Sequence, residues 1–168
     1  MPTTERASTP TGDLFDRWSL RDGTRLALRT LRPQDAAGLG AMIGSLGTTS
    51  RRRRFHGAVN PHSASWLARL TQTDAAREWA VVVVRDGIDG EDAAPVLAEA
   101  RLCCGRDGQQ AEFALVVADA WQRSGIGPRT VMSLLAQARQ RGLRRLPQRR
   151  LQEQGLVQEP ELLPFARP

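Results

Sequence analysis

The stretch from Ala114 to Gly142 restricts this chain more than any other. It opens on an apolar run, Ala114-Leu115-Val116-Val117, turns through a polar corner, Ala118-Asp119-Ala120-Trp121, and continues as Gln122-Arg123-Ser124-Gly125-Ile126-Gly127. From Pro128 to Arg141 apolar residues recur at helical spacing: Val131, Leu135 and Ala138, widened by Met132 and Leu134. Pro128 suits a first helical turn, where its missing N–H is no loss, and Gly142 follows the last periodic residue as a helix-ending glycine does. The pattern predicts a strand, a glycine turn and a helix. Backbone without Cβ lets a bound group approach closely. The first N–H groups of a helix point outward unpaired, at the positive end of its dipole. A phosphate or pyrophosphate is the natural occupant of such a turn. Arg123 and Arg129 flank it and add formal charge. An ordinary strand-to-helix connection with no ligand is the competing reading, since Gly-x-Gly alone is a common pattern.

The rest of the chain supplies enough material for one domain with a real core: 168 residues, 40% hydrophobic. No apolar run is long enough to span a bilayer, and Met1 to Arg17 lacks a signal-peptide core, so a cytoplasmic protein without membrane partners is expected. Cys103 and Cys104 are adjacent, which is neither a disulfide framework nor a zinc spacing, and no metal set is read from the histidines. On a strand the two thiols face opposite ways, and at least one is expected to be a buried structural cysteine. The net charge is +6, carried entirely by arginine. Up to Ala120 the acidic and basic residues balance; from Trp121 onward nine Arg stand against three Glu. Such a basic third could serve nucleic acid or an anionic cofactor. Aromatics at 5% leave few stacking platforms for single strands.

Taken in order, Met1 to Asp16 is rich in Thr, Pro and Ser and reads as a disordered lead. An Asp22-Gly23 turn precedes a first strand from Thr24 to Leu31. Asp35 could cap a helix from Ala36 to Leu46, whose Gly38, Gly40 and Gly44 make it dependent on packing. A short helix follows through Arg51-Arg52-Arg53-Arg54-Phe55-His56; the arginine run is expected to be a solvated face with a few ion pairs rather than a nucleic-acid site. Ser63 to Gln72 is helical, with Trp66, Leu67 and Leu70 inward. Glu78 to Arg85 is a buried β-branched strand, Asp86 to Asp92 an acidic turn, Pro95 to Cys104 a strand, Arg106-Asp107-Gly108 a hairpin turn, and Gln110 to Ala118 a further strand.

At Gln122, Gly125 and Gly127, behind Val117 and ahead of a helix, the chain resembles the acetyl-CoA-binding motif of the GNAT N-acetyltransferases. The element order from about Leu20 to Leu146 is similar to the first two-thirds of that fold. Ser50 to Gly57, Glu78 to Gly87 and Ala111 to Gly127 look like the GNAT domain of bacterial protein-lysine acetyltransferases. The resemblance implies an α/β (α+β) fold: a GNAT-like mixed, mostly antiparallel sheet with helices on both faces. It divides the chain into a lead at 1–17, a GNAT-like domain at 18–146 and an irregular basic tail at 147–168.

The resemblance also implies a chemistry, transfer of an acetyl group from acetyl-CoA to a primary amine, with a protein lysine as one such acceptor. Backbone of Leu115, Val116 and Val117 would hold the pantetheine. The pyrophosphate would lie on Gln122, Arg123, Ser124, Gly125, Ile126, Gly127, Pro128 and Arg129, although Pro128 cannot donate an N–H. An amine acceptor must lose a proton, its reference pKa being about 10.4. Glu112 is the expected base, with Glu99 second and a solvent-facing strand residue as the competing reading of Glu112. The family's thiolate-protonating Tyr is absent, since the chain has no Tyr. The pattern breaks at Pro147, so the C-terminal elements are expected to be missing, through truncation or a shifted frame. The open strand edge would then be a route to a homodimer. Two other readings stand beside an active enzyme: an inactive GNAT-like module that binds CoA only, and an arginine-rich nucleic-acid-binding protein.

Overall fold

Four consecutive valines, Val81 to Val84, lie at the centre of the molecule, each nearly or wholly buried. Residues apolar on both faces suit a strand covered on both sides, and here they form the middle of a sheet. The computed structural model describes residues 14–74, 76–87, 94–105 and 111–140. Its strands are β1 (Leu14–Ser19), β2 (Arg25–Thr30), β3 (Glu78–Arg85), β4 (Val96–Cys104) and β5 (Ala111–Val117), in the spatial order β1-β2-β3-β4-β5 and antiparallel throughout. Between β2 and β3 the chain forms α1 (Ala36–Ser45), α2 (Thr48–Phe55) and α3 (Ala64–Thr71); α4 (Ile126–Gln140) follows β5. The expected α/β fold with helices on both faces of the sheet is what the described residues form; the sheet, expected to be mixed and mostly antiparallel, is antiparallel at every described pair.

Alternation along the strands divides the core in two. Leu26, Leu28, Val81, Val83, Ala98, Ala100, Leu102, Ala111 and Phe113 meet Ile126, Val131, Leu134, Leu135 and Ala138 of α4. Ala27, Ala80, Val82, Val84, Val96 and Val116 meet Leu39, Met42, Ile43 and Leu46 on the α1 side. The glycines of α1 have a packing reason. A Cβ on Gly40 would lie 2.8 Å from the Pro61 carbonyl oxygen and 2.9 Å from a Leu67 methyl, so this face admits α3 and its preceding loop only without a side chain. Ser63 caps α3, its hydroxyl accepting from the Trp66 amide at 3.3 Å. The Trp66 ring then stands edge-on to Phe55 at the end of α2, 5.5 Å between centroids.

Three expectations need correction. Strand β1 begins at Leu14, inside the stretch read as a disordered lead, and pairs with β2 through a tight turn at Asp22-Gly23. Asp35 does not cap α1 with its side chain; it accepts from the Arg32 amide at 2.8 Å and takes a two-pronged pairing with Arg29, at 2.7 and 2.8 Å, inside the core. Helix α4 starts at Ile126, two residues ahead of the expected start at Pro128, and the proline is in the first turn as expected. The expected turns at 88–92 and 106–108, the helix end at Gly142, the tail at 147–168 and the missing C-terminal elements lie outside the described residues. Among the described residues no helix is long and apolar enough to cross a membrane.

Candidate functional site

Strand β5 is at the end of the sheet's order, with β4 as its one strand neighbour among the described residues. Its register decides which backbone groups face outward. The Ala118 amide donates to the Leu97 carbonyl at 2.8 Å, flanking the Val117–Ala98 pair, so that pair is the non-hydrogen-bonded type. By alternation Val116 directs its N–H and C=O into the ladder with Glu99, whereas Leu115 and Val117 direct theirs to the outer edge. The expected backbone contact from Val116 is therefore not on offer, and the edge belongs to Leu115 and Val117. The Val117 carbonyl already accepts from Gln122 Nε2 at 3.2 Å.

Beyond β5 the chain makes one 3-10 turn, Asp119–Trp121, and then the loop. Arg123 has φ 61° and Gly125 φ 85°. Left-handed residues alternating with ordinary ones turn successive N–H groups toward one side, forming an anion-binding concavity. The amides of Trp121, Gln122 and Arg129 are used by the carbonyls of Ala118, Asp119 and Gly125. Those of Arg123 to Gly127 lie in the turn and at the helix start, where amides have no partner within the helix. A Cβ placed on Gly125 would meet no atom of the described residues within 4 Å, which leaves open space among them beside this backbone. Ile126 and Gly127 are buried while Arg123, Ser124 and Pro128 are exposed. The Ser124 hydroxyl turns back to donate to the Trp121 carbonyl at 2.5 Å. This geometry is suited to a phosphate or diphosphate, Pro128 being the gap in the row of donors.

Two of the expected ligand side chains are engaged elsewhere. Arg129 forks onto Asp16 of β1 at 2.5 and 3.0 Å and stacks over Trp18 with its guanidinium carbon 4.6 Å from the ring centroid. That hydrogen bond holds the Asp16 carboxyl below its usual range. Gln122 spends its Nε2 on Asp119, Ser50 and the Val117 carbonyl. Its side chain fastens the loop, and Arg123 is exposed within the turn.

The two candidate bases fare differently. Glu112 is exposed, opposite Cys103 in the register. Glu99 is completely enclosed between Arg54 of α2, at 2.8 Å, and Arg101, at 2.9 Å. Burial pushes its carboxyl up, but the two guanidiniums outweigh burial and hold it below the usual carboxylate range. A carboxylate so stabilised is a poor proton acceptor, and Glu99 is corrected from second-choice base to structural anion. Arg101 continues the chain of charges to Glu78 and to the Leu70 carbonyl at 2.6 Å. Cys103 rests against Glu78, its thiol pushed up to about 11 by burial and by that carboxylate; burial also raises Cys104. Both thiols stay protonated at neutral pH and are weak nucleophiles.

Arg54 is the buried ion-pair partner beside the site that sequence reasoning did not single out. Within the run Arg51 to Arg54, only Arg52 and Arg53 form a solvated face. Arg51 donates to the carbonyls of Gly44 and Leu46 at 3.0 Å, closing the end of α1, and Arg54 turns inward onto Glu99. The available signal was Glu99 itself, an acid in the middle of an apolar strand that requires a buried cation.

No family model matches the chain. It is 29% identical over 133 residues to acetyltransferase PA5475 of Pseudomonas aeruginosa, covering 78% of this chain and 70% of that protein. Its fold is similar to the GNAT domain of S. lividans PAT, with a TM-score of 0.67 at 24% identity, covering 83% of this chain and 82% of that one. It is similar too to RimL, a ribosomal L7/L12 alpha-N-protein acetyltransferase solved with coenzyme A, with a TM-score of 0.61 at 11% identity, covering 80% and 72%. With this strand order, this loop between strand and helix, and these neighbours, the chain has the fold of the GNAT N-acetyltransferases.

Proposed function

We propose that this chain transfers an acetyl group from acetyl-CoA to a primary amine, with a protein lysine as the acceptor class. The observation that carries the reading is the loop at Arg123 to Gly127, two left-handed residues and a helix start, directly after a strand whose outer edge has no partner strand among the described residues. Its amides would take the diphosphate, Arg123 would add the charge, and Leu115 and Val117 would hydrogen-bond the pantetheine amides along the edge. Acetyl-CoA supplies the activated thioester. The chain's own task at the acceptor end is to remove a proton from an ammonium group, and Glu112, exposed on the same strand, takes that role. The likeness to PA5475 and to the two solved acetyltransferases supports the reaction class.

The test is calorimetric titration with CoA followed by a thiol-release assay on lysine peptides. Gly125→Glu puts bulk and negative charge into the open space, and a left-handed φ of 85° adds backbone strain. It is expected to abolish CoA binding; unchanged binding would sink the loop assignment. Glu112→Gln is expected to leave CoA affinity nearly intact while lowering turnover about 10²-fold or more and altering its pH dependence. Equal turnover across pH in variant and parent would remove Glu112 from the mechanism. A chain that binds CoA yet releases no thiol with any amine would be the inactive binding module instead.

A further inference from the structure

A single carboxylate joins the loop to a helix more than sixty residues earlier. Asp119 Oδ2 accepts from the Gly47 amide at 2.7 Å, and Oδ1 accepts from Ser50 Oγ at 2.6 Å and Gln122 Nε2 at 2.8 Å. Gly47 is the N-cap of α2 and has no side chain; Asp119 satisfies the amide of that residue from across the fold, as the acid of a capping box would from within the helix. The glycine is also what admits the carboxylate, since a Cβ there would lie 3.0 Å from Asp119 Oδ2. Gln122 Nε2 is within 3.2 Å of both Ser50 Oγ and the Val117 carbonyl, which ties the same cluster to the end of β5. Immediately after this tethered residue comes Arg123, in a left-handed conformation that costs a residue with a Cβ about 1 kcal/mol or more. A strained residue holds its shape only while its neighbours are fixed, and of the three partners of Gln122 Nε2 the shortest contact is to Asp119, at 2.8 Å against 3.2 Å for Ser50 and the Val117 carbonyl.

We propose that Asp119 is a positioning residue for the anion-binding loop: by holding Gln122 against the first turn of α2 it keeps Arg123 and Gly125 in the left-handed arrangement that presents their amides. The inference rests on the proposed function for the identity of the anion, and on geometry alone for the coupling. Asp119 touches no substrate in this scheme; it acts through Gln122.

The experiment uses the full chain, with Asp119→Ala, Asp119→Asn and Gln122→Leu. Hydrogen exchange without ligand is expected to quicken in both 47–51 and 122–127 for Asp119→Ala, and only in 122–127 for Gln122→Leu. CoA titrated by calorimetry is expected to bind about tenfold more weakly to both. In Asp119→Asn one oxygen can still accept from Gln122 and Ser50 while Nδ2, a donor, meets the Gly47 amide, so exchange is expected to quicken at 47–51 and affinity to fall less than in Asp119→Ala. Exchange that quickens at 47–51 while 122–127 is unchanged in Asp119→Ala, or undiminished CoA affinity in both strong variants, overturns the proposal and leaves Asp119 as a helix cap only. Should Asp119→Ala fail to fold, Gln122→Leu decides the matter by the same two readouts. If the parent takes up no CoA, the proposed function fails, and the exchange comparison still judges the coupling by itself.

Discussion

On one face of the sheet, α4 meets β3, β4 and β5 through uncharged side chains: Ile126, Val131, Leu134 and Leu135 are wholly or almost wholly buried against Val83, Leu102 and Phe113. On the other face, α1 covers an apolar patch with Phe55, Trp66 and Leu70 of α2 and α3 at its margin, while Arg54 joins α2 to the sheet by charge and Arg101 reaches the Leu70 carbonyl of α3. Glu99 sits between Arg54 and Arg101, Arg101 reaches Glu78, and Arg29 pairs with Asp35 farther along. Apolar contact is strong but indifferent to small rotations, whereas forked ion pairs fix one geometry. Helix α2 has no fully buried residue and three consecutive arginines in its last turn. It has little apolar surface with which to hold itself, so its place over β4 and β5 is set by Arg54 at one end and Asp119 at the other. The face that carries the loop helix is thus built for stability, and the face that carries α2 for position.

The largest effect expected is from Glu99→Gln, which leaves Arg54 and Arg101 without their shared anion inside the fold. A loss of about 3–5 kcal/mol in denaturant unfolding is the expected result. The comparison sharpens if the triple change Arg54→Met, Glu99→Leu, Arg101→Met restores most of that stability while weakening CoA binding, because apolar substitutes hold α2 without orienting it. A triple variant with normal CoA affinity would break the distinction between the faces. Next comes Leu134→Ala on the α4 face, expected to lose about 2–5 kcal/mol through a cavity in a purely apolar environment. Its CoA affinity at a temperature where it stays folded is expected to equal the parent's.

Acid separates the faces without mutation. The folded-state pKa of Glu99 is depressed below its unfolded value, so its contribution is complete above about pH 4.3 and is lost as pH falls through the lower folded value. A urea series from pH 7 downward is expected to show a plateau and then an acid decline, and removing Glu99 is expected to flatten that decline. Leu134→Ala is expected to shift the whole curve with its shape intact. The smallest effect belongs to the rim: Asp16→Asn, at a pair whose side chains are 30% and 45% exposed, is expected to change stability by under about 1 kcal/mol and less still in high salt.

What could be read from the chain beforehand follows the same division. The α4 face was legible because its code is local: Val131, Leu135 and Ala138 repeat at helical spacing, and the valine run of β3 allows few alternatives. The loop was legible because glycine at 125 and 127 and an apolar strand before them are sequence neighbours. The polar face was not. Four identical arginines carry no periodicity, and which of them turns inward is decided by an acid 45 residues away. Strand β1 was missed because Leu14-Phe15-Asp16-Arg17-Trp18-Ser19 does not alternate cleanly, its pairing being irregular between Leu14 and Asp16. Arg129 looked like a phosphate ligand for the same reason, since its partner Asp16 is 113 positions distant.

Helix α2 also has a history within each folding event. Eight residues are too few to persist as a helix in water, and its two anchors arrive late: Glu99 lies 45 positions beyond Arg54, and Asp119 lies 72 beyond Gly47. Closing such loops precedes any gain from the contacts they bring together. The hairpins of the sheet and the docking of α4 are therefore expected to form the folding nucleus, with α2 settling onto the finished β4–β5 surface last. Ser50→Ala should accordingly leave the refolding rate alone and express its whole effect in faster unfolding, the behaviour of a part assembled after the rate-limiting step.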